Sequence, residues 1–228
     1  MEILEAVVTR ISARAFLKTP IDRAIVHKIL DHARLAPSGS NMQPWHIHAV
    51  TGQVRDQLIN KALAYAAANP IGSDRAEYQS APEKFAKPYK SRRFECGMAL
   101  YSALGIERKD RAAREQQLLQ NFYFFGAPVG LIFSIHRTLL PGQLGDLGII
   151  MGNIMLLARE YGLHTCAQGF WQDVQPAIRE VLDIPEEYYI YNGMALGFLD
   201  AEHPANKVDP GRARVEQFAE FHGFNESD

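Results

Sequence analysis

Cysteine and long apolar runs are both scarce in this sequence. It has 228 residues but only two cysteines, Cys96 and Cys166, which is too few for a disulfide framework. No window approaches the roughly 20 consecutive apolar residues that a membrane-spanning helix needs. Residues 1–9 lack the basic start and apolar run of a secretion signal. We therefore expect a reduced, cytoplasmic protein without membrane contact, and a disulfide between the two cysteines is the minor alternative.

A strong excess of charge is also missing. The 24 basic and 26 acidic residues give a formal net charge of -2, which provides no polycationic surface and disfavours nucleic acid as a partner. The hydrophobic fraction of 47% is ordinary for a soluble globular protein, and the length suffices for one substantial core. We expect a single domain over residues 1–228.

The motifs of several enzyme classes are absent as well. No G-x-G-x-x-G follows a predicted strand, so a nicotinamide-binding Rossmann domain is not supported, and no catalytic triad or nucleophile elbow is recognisable. His46 and His48 alternate on a predicted strand, but no third ligand stands at a spacing typical of a metal site. Cys166 near His164 could form a thiol nucleophile, although a buried, inert cysteine is the more common state.

Apolar periodicity predicts helices and strands without a regular βαβ rhythm. The first clear helix is expected to begin at Thr19, with Pro20 at its first position, and to end before Pro37. The irregular order favours an α+β layered domain over a doubly wound sheet. The further predicted helices are Gln53–Ala68, Arg111–Phe124, Asp146–Tyr161 and Pro176–Leu182, and the strands are Trp45–Val50, Ala127–Ile135, Leu163–Cys166 and Tyr188–Phe198.

A long polar stretch, residues 71–93, interrupts this pattern. It is either a functional lid or an element with a weak signal, and we treat residues 71–125 as a lid or insert region. Within it, Tyr89, Arg92 and Arg93 either line the mouth of a substrate site or are simply exposed.

Two elements carry glycine in unusual places. The helix 146–161 is apolar on nearly all sides, with narrow spots at Gly148 and Gly152, so it must be buried in the core or against another chain. The last strand carries Gly193 and Gly197 on one face, which often marks the close approach of a ligand or another backbone.

The tail, residues 200–228, combines many charges with apolar residues. Val215, Phe218, Phe221 and Phe224 favour burial. We therefore expect the tail to dock on another surface, for example on a partner subunit.

The first candidate binding segment is Arg10-Ile11-Ser12-Ala13-Arg14. In an extended or turn conformation, the side chains of Arg10, Ser12 and Arg14 share one face. Two guanidinium groups and a hydroxyl suit a phosphate or another planar anion. A solvated edge strand with surface arginines is the alternative, and on this segment alone it is the more common case.

The second candidate is the loop between Pro37 and Pro44, whose two prolines fix the ends of a stiff segment. A glycine, two hydroxyls and two amides between them can direct several hydrogen-bond donors at one polar ligand. A plain helix-to-strand turn uses the same residue types. Both interpretations stay open for the loop alone.

Together, the two segments resemble the nitroreductase family. Arg-x-Ser-x-Arg near the N-terminus, a capped helix and Pro-Ser-Gly-Ser-Asn-x-Gln-Pro-Trp occur in that order. The resemblance covers nearly the whole chain, and these two motifs are its specific part. Its later matches are Gln168-Gly169-Phe170, the strand Asn192–Gly197, Arg212-x-Arg214 and Phe221-His222-Gly223-Phe224.

The resemblance implies an FMN-dependent oxidoreductase. Members of the family are interlocked homodimers with a three-layer α+β fold, a mixed but mostly antiparallel sheet flanked by helices, and FMN sites at the subunit interface. We expect NADH or NADPH to reduce the flavin in a ping-pong cycle, and a small-molecule electron acceptor, a nitroaromatic or a quinone, to reoxidise it. The alternatives are a flavin carrier or regulator without turnover, and a reductive dehalogenase or flavin-modifying relative.

The resemblance also implies roles for single residues, with the flavin rather than a side chain or a metal carrying the chemistry. Arg10 and Ser12 are expected at the phosphate and ribityl chain, and Arg14 at the N1 and C2-carbonyl edge, where reduction places negative charge. The backbone N–H of Gly169 is expected at the flavin N5. The full set of expected contacts is Arg10, Ile11, Ser12, Arg14, Cys166, Ala167, Gln168, Gly169, Arg212 and Arg214 from one chain, the last two over the phosphate, and Pro37, Ser38, Gly39, Asn41 and Gln43 from the other subunit.

Two positions depart from the family's pattern. Ile11 stands where many relatives have a second basic or polar residue, so one cofactor contact is expected to be missing. Gln168 replaces the acid that some relatives have, which makes the N5 edge less negative.

Overall fold

A four-stranded antiparallel sheet forms the centre of the computed structural model, which describes residues 1–69, 82 and 84–224. Most of the predicted lid segment 71–93 therefore lies outside the described residues. The strand order is β1-β2-β4-β3, and every pair of neighbours is antiparallel. The strands are β1 (His46–Thr51), β2 (Val129–His136), β3 (Leu163–Gln168) and β4 (Tyr188–Phe198).

Helices cover both faces of this sheet, which gives three layers. Leu131 and Phe133 of β2 pack on one side, and Ile132 between them packs on the other, as the alternation of side chains along a strand requires. The predicted α+β layered fold is thereby confirmed. The helices are α1 (Ile3–Thr9), α2 (Arg23–Ala33), α3 (Gly52–Ala68), α4 (Tyr89–Ala103), α5 (Arg111–Leu119), α6 (Leu144–Glu160) and α7 (Gln175–Leu182).

Each face of the sheet has its own hydrophobic core. On one side of the sheet, Ile29 of α2 packs with Ile150 and Ile154 of α6. On the other side, Leu58 of α3 packs with Ile178 of α7. In the described part of the chain, no helix is long and apolar enough to cross a membrane.

Two sequence-based helix boundaries need correction. The first predicted helix begins at Arg23 and not after Thr19, because the Asp22 carboxylate accepts the N–H of Ala24 at 2.8 Å and acts as the N-cap. The helix predicted to reach Phe124 ends at Leu119 and is followed by a tight turn.

Two helices were not predicted at all. The short helix α1 precedes the Arg10 segment, and α4 begins at Tyr89, inside the polar stretch 71–93 that shows no helical periodicity. None of the side chains of α4 is fully buried in the single chain. An apolar stripe, which is the main sequence signal for a helix, is therefore missing there.

Aromatic side chains of the same chain pack against the two glycines of β4, Gly193 and Gly197. A Cβ atom at Gly193 would lie 2.0 Å from Trp171 Cδ1, and one at Gly197 would lie 2.8 Å from Phe16 Cδ1. The close approach expected at this face is thus made by two aromatic rings rather than by a ligand. Trp171 is fully buried and stacks on Phe124, with ring centroids 4.4 Å apart.

Replacing Gly193 by alanine is expected to destabilise the protein by about 1–3 kcal/mol, because an added methyl group in a filled core forces its neighbours to move. Gly97→Ala in α4 is the matched control, since nothing lies within 4 Å of its added Cβ. A helical alanine there should be neutral or stabilise by up to about 1 kcal/mol. Urea unfolding at one protein concentration measures both, and equal stability of the two variants would refute this packing.

Candidate functional site

The N-terminal segment lies along β3. Ser12 forms a parallel bridge with Thr165, and the Ala13 N–H donates to the Thr165 carbonyl at 3.0 Å. Ala13 and Ala15 are buried, whereas Ser12 is exposed and Arg14 is half-buried. The small residues allow the segment to lie close to the sheet and leave the polar side chains on the outer face.

Arg14 is held at its backbone by a residue of the tail. Its N–H donates to Asn206 Oδ1 at 2.7 Å, and Asn206 Nδ2 donates to the carbonyls of Ala15 and Asp200, each at 2.8 Å. One asparagine thus ties the N-terminal segment to the start of the tail. The tie fixes the backbone from which the Arg14 side chain extends.

A cavity of about 280 Å³ lies at the end of β3. There the strand ends at Gln168 and the chain turns into a 3-10 helix, Gly169–Val174. Arg14 supplies a cation to the cavity, while α4, α5 and the following turn supply mostly apolar walls. The lining residues include Arg14, Leu100, Tyr101, Leu118, Asn121, Phe125, Cys166, Ala167, Gln168, Gly169 and Phe170.

A second cavity, of about 350 Å³, adjoins the first. Arg14 and Leu100 border both of them. The second cavity has more cationic side chains, since Arg14, Arg92 and Arg212 line it, whereas Arg14 supplies the cation of the first. It is lined by Ile11, Ser12, Arg14, Arg92, Cys96, Leu100, Ala205, Asn206, Val208, Pro210, Gly211 and Arg212.

Most of the residues predicted from one chain therefore meet at these two cavities: Ile11, Ser12, Arg14, Cys166, Ala167, Gln168, Gly169 and Arg212. Arg10 borders neither cavity, but its charge acts on the Cys166 thiol together with that of Arg14. Arg214 is exposed and also borders neither. Whether these residues bind a cofactor stays a prediction.

The predicted loop Pro37–Gln43 lies elsewhere and borders neither cavity of its own chain. It rests on the start of α6, where the Gly39 N–H donates to Asp146 Oδ2 at 3.2 Å. Ser40, Asn41 and Gln43 all have positive φ, of 50°, 55° and 50°. Such conformations are costly for residues other than glycine and persist only where the surroundings enforce them.

Sequence reasoning missed the contributions of α4 and of Asn206. Arg92, Cys96 and Leu100 of α4 line the second cavity, and Arg92 is also exposed. Arg92 is therefore exposed at the rim of a cavity, and its role at the mouth of a substrate site stays a prediction. Without a predicted α4, no signal could have placed these side chains beside Arg14.

Cys166, the candidate thiol nucleophile, and the nearby His164 both belong to β3, and both are uncharged at neutral pH. Burial raises the pKa of Cys166 to about 11, against the opposing charges of Arg14 and Arg10. Burial, assisted by Arg159, lowers the pKa of His164 to about 4. A thiol needs its thiolate form to react, so the arrangement disfavours a cysteine nucleophile. Among the described residues, no group of His, Cys, Asp or Glu could hold a metal ion.

These features define a polar, cationic pocket beside an apolar slot, built from distant parts of one chain. The nitroreductase family model matches residues 7–198, so the chain belongs to the nitroreductase family. It is 37% identical over 219 residues to a 4-nitrobenzoate reductase of Pseudomonas putida, covering 96% of this chain and 95% of that protein. A nitrobenzene nitroreductase of Ectopseudomonas oleovorans is 36% identical, and the alignment covers 93% of this chain and 93% of that protein.

Solved structures agree with this assignment. The FMN and NADPH-dependent nitroreductase NfnB from sphigopyxis sp. strain HMH superposes with a TM-score of 0.94 at 35% identity, over 98% of this chain and 100% of that one. NfnB from Mycobacterium smegmatis, an FMN-dependent nitroreductase solved in complex with NADPH, gives 0.89 at 25% identity, over 96% and 99%. The family predicted from the two N-terminal motifs is confirmed.

Thiol labelling tests the environment of β3. At pH 7.5 we expect iodoacetamide to modify Cys96 of the native protein while Cys166, buried and neutral, stays unmodified. Intact mass of the parent, Cys96→Ser and Cys166→Ser proteins measures this. Rapid modification of the Cys96→Ser protein would contradict the burial of Cys166.

Proposed function

We propose that this protein is an FMN-dependent oxidoreductase that takes hydride from NADH or NADPH and reduces nitroaromatic compounds or quinones. The single observation that carries the proposal is the position of Arg14, whose side chain borders both the apolar slot at Gly169 and the polar pocket at Ser12. The relatives named above as nitrobenzoate and nitrobenzene reductases support the acceptor class.

The donor set fits FMN. The phosphate of FMN is an anion that arginine and hydroxyl groups bind well, and the polar pocket offers Ser12 and Arg212. The isoalloxazine ring is flat and largely apolar, and the neighbouring slot has Leu118, Phe125 and other apolar walls. Arg10 and Arg214 complete the phosphate side in the proposed assignment.

In the proposed mechanism, Arg14 and Gly169 each act on the bound flavin. When bound, FMN supplies the redox chemistry, taking up two electrons as a hydride and returning them to the acceptor. Arg14 would supply a fixed cation that stabilises the negative charge gained on reduction. Gly169 opens a helical turn, and because an N–H group at that position has no partner inside the helix, it would be available to a ring nitrogen.

The functional unit in this proposal is a homodimer. Arrangement of the loop supports it: Ser38, Gly39, Asn41 and Gln43 are predicted cofactor contacts, yet they lie away from the cavities of their own chain. A second copy would bring its loop to the cavity of the first. The loop residues of each chain would then contact the cofactor bound in the cavity of the other chain.

The helix α6 supports the same conclusion. Leu147, Ile150 and Ile154 are buried in the core, but Ile149 on another face is exposed. A Cβ atom at Gly148 would meet nothing within 4 Å. A helix that is apolar on nearly all sides requires cover on this open face too, and a second copy supplies it.

We also propose a cytoplasmic location. Both cysteines, Cys96 and Cys166, are free thiols, as is usual in a reducing compartment.

Anaerobic spectroscopy tests the enzymatic function. The purified protein is expected to show the visible bands of oxidised flavin, which bleach on addition of NADPH or NADH and return when 4-nitrobenzoate is added. Flavin that neither nucleotide bleaches would overturn this function in favour of a flavin carrier.

Arg14→Ala is expected to lower the two-electron potential of the bound flavin by about 30–60 mV. A hydrogen bond to a charged group contributes about 1.5–3 kcal/mol, and 30 mV corresponds to about 1.4 kcal/mol for a two-electron couple. Arg14→Lys should recover part of the shift. Arg34→Ala is the control, because Arg34 is exposed at the C-terminal end of α2 and pairs with Asp31 of that helix. A potential unchanged in Arg14→Ala would count against the assigned role.

Truncating the tail phenyl rings tests the dimer. Phe218, Phe221 and Phe224 are 69%, 67% and 71% exposed in the single chain, so their loss should cost little within it. If a second chain buries them, each contributes up to about 1.5–3 kcal/mol, and the triple alanine variant should weaken dimerisation on the order of 100-fold or more. Sedimentation equilibrium measures this, with Val54→Ala on α3 as an exposed apolar control. Equal dissociation constants would refute a wrapping tail.

A further inference from the structure

The Gln168 peptide is tied to β4 by a side chain. Its backbone N–H donates to Asn192 Oδ1 at 2.9 Å, although the facing partner of Gln168 in the β ladder is Gly193. Gln168 is only 1% exposed. Loss of Asn192 Oδ1 would therefore leave a buried N–H without an acceptor, which is unfavourable.

The side chain of Gln168 forms a second tie in a different direction. Its Nε2 donates to the Asn121 carbonyl at 2.6 Å. Asn121 follows α5 and lines the same cavity as Gln168, together with Leu118 and Phe125. The amide of Gln168 thus joins the corner of β3 to the α5 wall of the slot.

The turn after Gly169 is fixed as well. Trp171 fills the notch above Gly193 and stacks on Phe124. Gln172 Nε2 donates to the Tyr191 carbonyl. The Gly169 peptide therefore lies between two anchored stretches, one ending at Gln168 and one beginning at Trp171.

The bond to the Asn121 carbonyl needs a hydrogen-bond donor at position 168. A carbonyl oxygen needs a donor, and glutamine supplies an N–H, whereas an ionised glutamate would place a second acceptor against Asn121. The replacement of an acid by Gln168, noted from the sequence as a change in charge, is also what allows the bond to the α5 wall.

We propose that Asn192 is a positioning residue for the flavin contact of Gly169, with Gln168 transmitting the constraint. Asn192 occupies the Gln168 N–H and so leaves the following N–H, that of Gly169, as the one presented to the cavity. The side-chain amide of Gln168 fixes the position of the Gly169 peptide relative to Asn121, at the end of α5. This inference rests on the proposed FMN site.

The test uses the holoprotein loaded with FMN that carries ¹⁵N at N5. In Asn192→Ala, the N5 resonance of the oxidised flavin is expected to move downfield, because its lone pair loses a well-placed donor. The same donor stabilises the oxidised ring, so its loss should shift the oxidised–reduced equilibrium about ten-fold toward the reduced form, which is about 30 mV for two electrons. This shift is opposite in sign to that expected for Arg14→Ala.

Two further variants separate positioning from general stability. Asn192→Asp keeps an acceptor for the Gln168 N–H and should restore the parental N5 resonance. Gln175→Ala removes a buried side chain of α7. Its Oε1 accepts the N–H of Ile190 at 3.4 Å, and Ile190 lies on β4, the strand that also carries Asn192. Gln175 borders neither cavity, so its loss should lower the thermal midpoint without moving the N5 resonance or the potential.

The second tie is tested by Gln168→Glu, which should also move the N5 resonance because the bond to Asn121 is lost. An N5 resonance and potential in Asn192→Ala equal to those of Gln175→Ala would overturn the inference and leave the FMN site intact. A parent protein that binds no FMN would overturn the inference and the proposed function together.

Discussion

The site depends on the packing of the N-terminal segment against β3. Two buried alanines, Ala13 and Ala15, let the segment approach the strand, and the bridge between Ser12 and Thr165 sets its register. This contact brings Arg14 to the cavity at the end of β3, which is also lined by Gly169, the first residue of a helical turn. In the proposed site, the Arg14 cation and the Gly169 N–H act on one flat ligand, although the two residues lie far apart in the sequence.

Each chain holds only part of this arrangement in the proposed dimer. The strained loop with Asn41 and Gln43 is held in shape by hydrogen bonds, such as that from the Gln43 N–H to Ser38 Oγ at 2.9 Å, yet it borders neither cavity of its own chain. Backbone strain of this kind is typical of functional sites. The exposed face of α6 and the exposed tail rings leave apolar surface of the kind that association covers. Cofactor binding and dimerisation are therefore expected to be coupled.

Much of the fold could be predicted because its signals are local. The strands and the longer helices carry clear apolar periodicity, and β4 was predicted with its observed bounds, Tyr188–Phe198. The helix α4 could not be predicted, since it buries no side chain fully and so lacks a stripe. For the same reason Arg92 and Cys96 were not placed at the cavity. Asn192 and Asn206 act through side-chain hydrogen bonds to distant backbone groups, and such pairings have no sequence pattern.

The most direct test of a site shared between two chains is complementation in a mixed dimer. One chain carries Ser12→Ala and Arg14→Ala, the other carries Asn41→Ala and Gln43→Ala, and distinct affinity tags isolate the heterodimer. If each site takes its loop from the other subunit, one site is intact and the other is doubly defective, so the heterodimer binds one FMN per dimer with parental affinity while each homodimer binds FMN weakly. A heterodimer that binds FMN no better than the two homodimers would contradict the account.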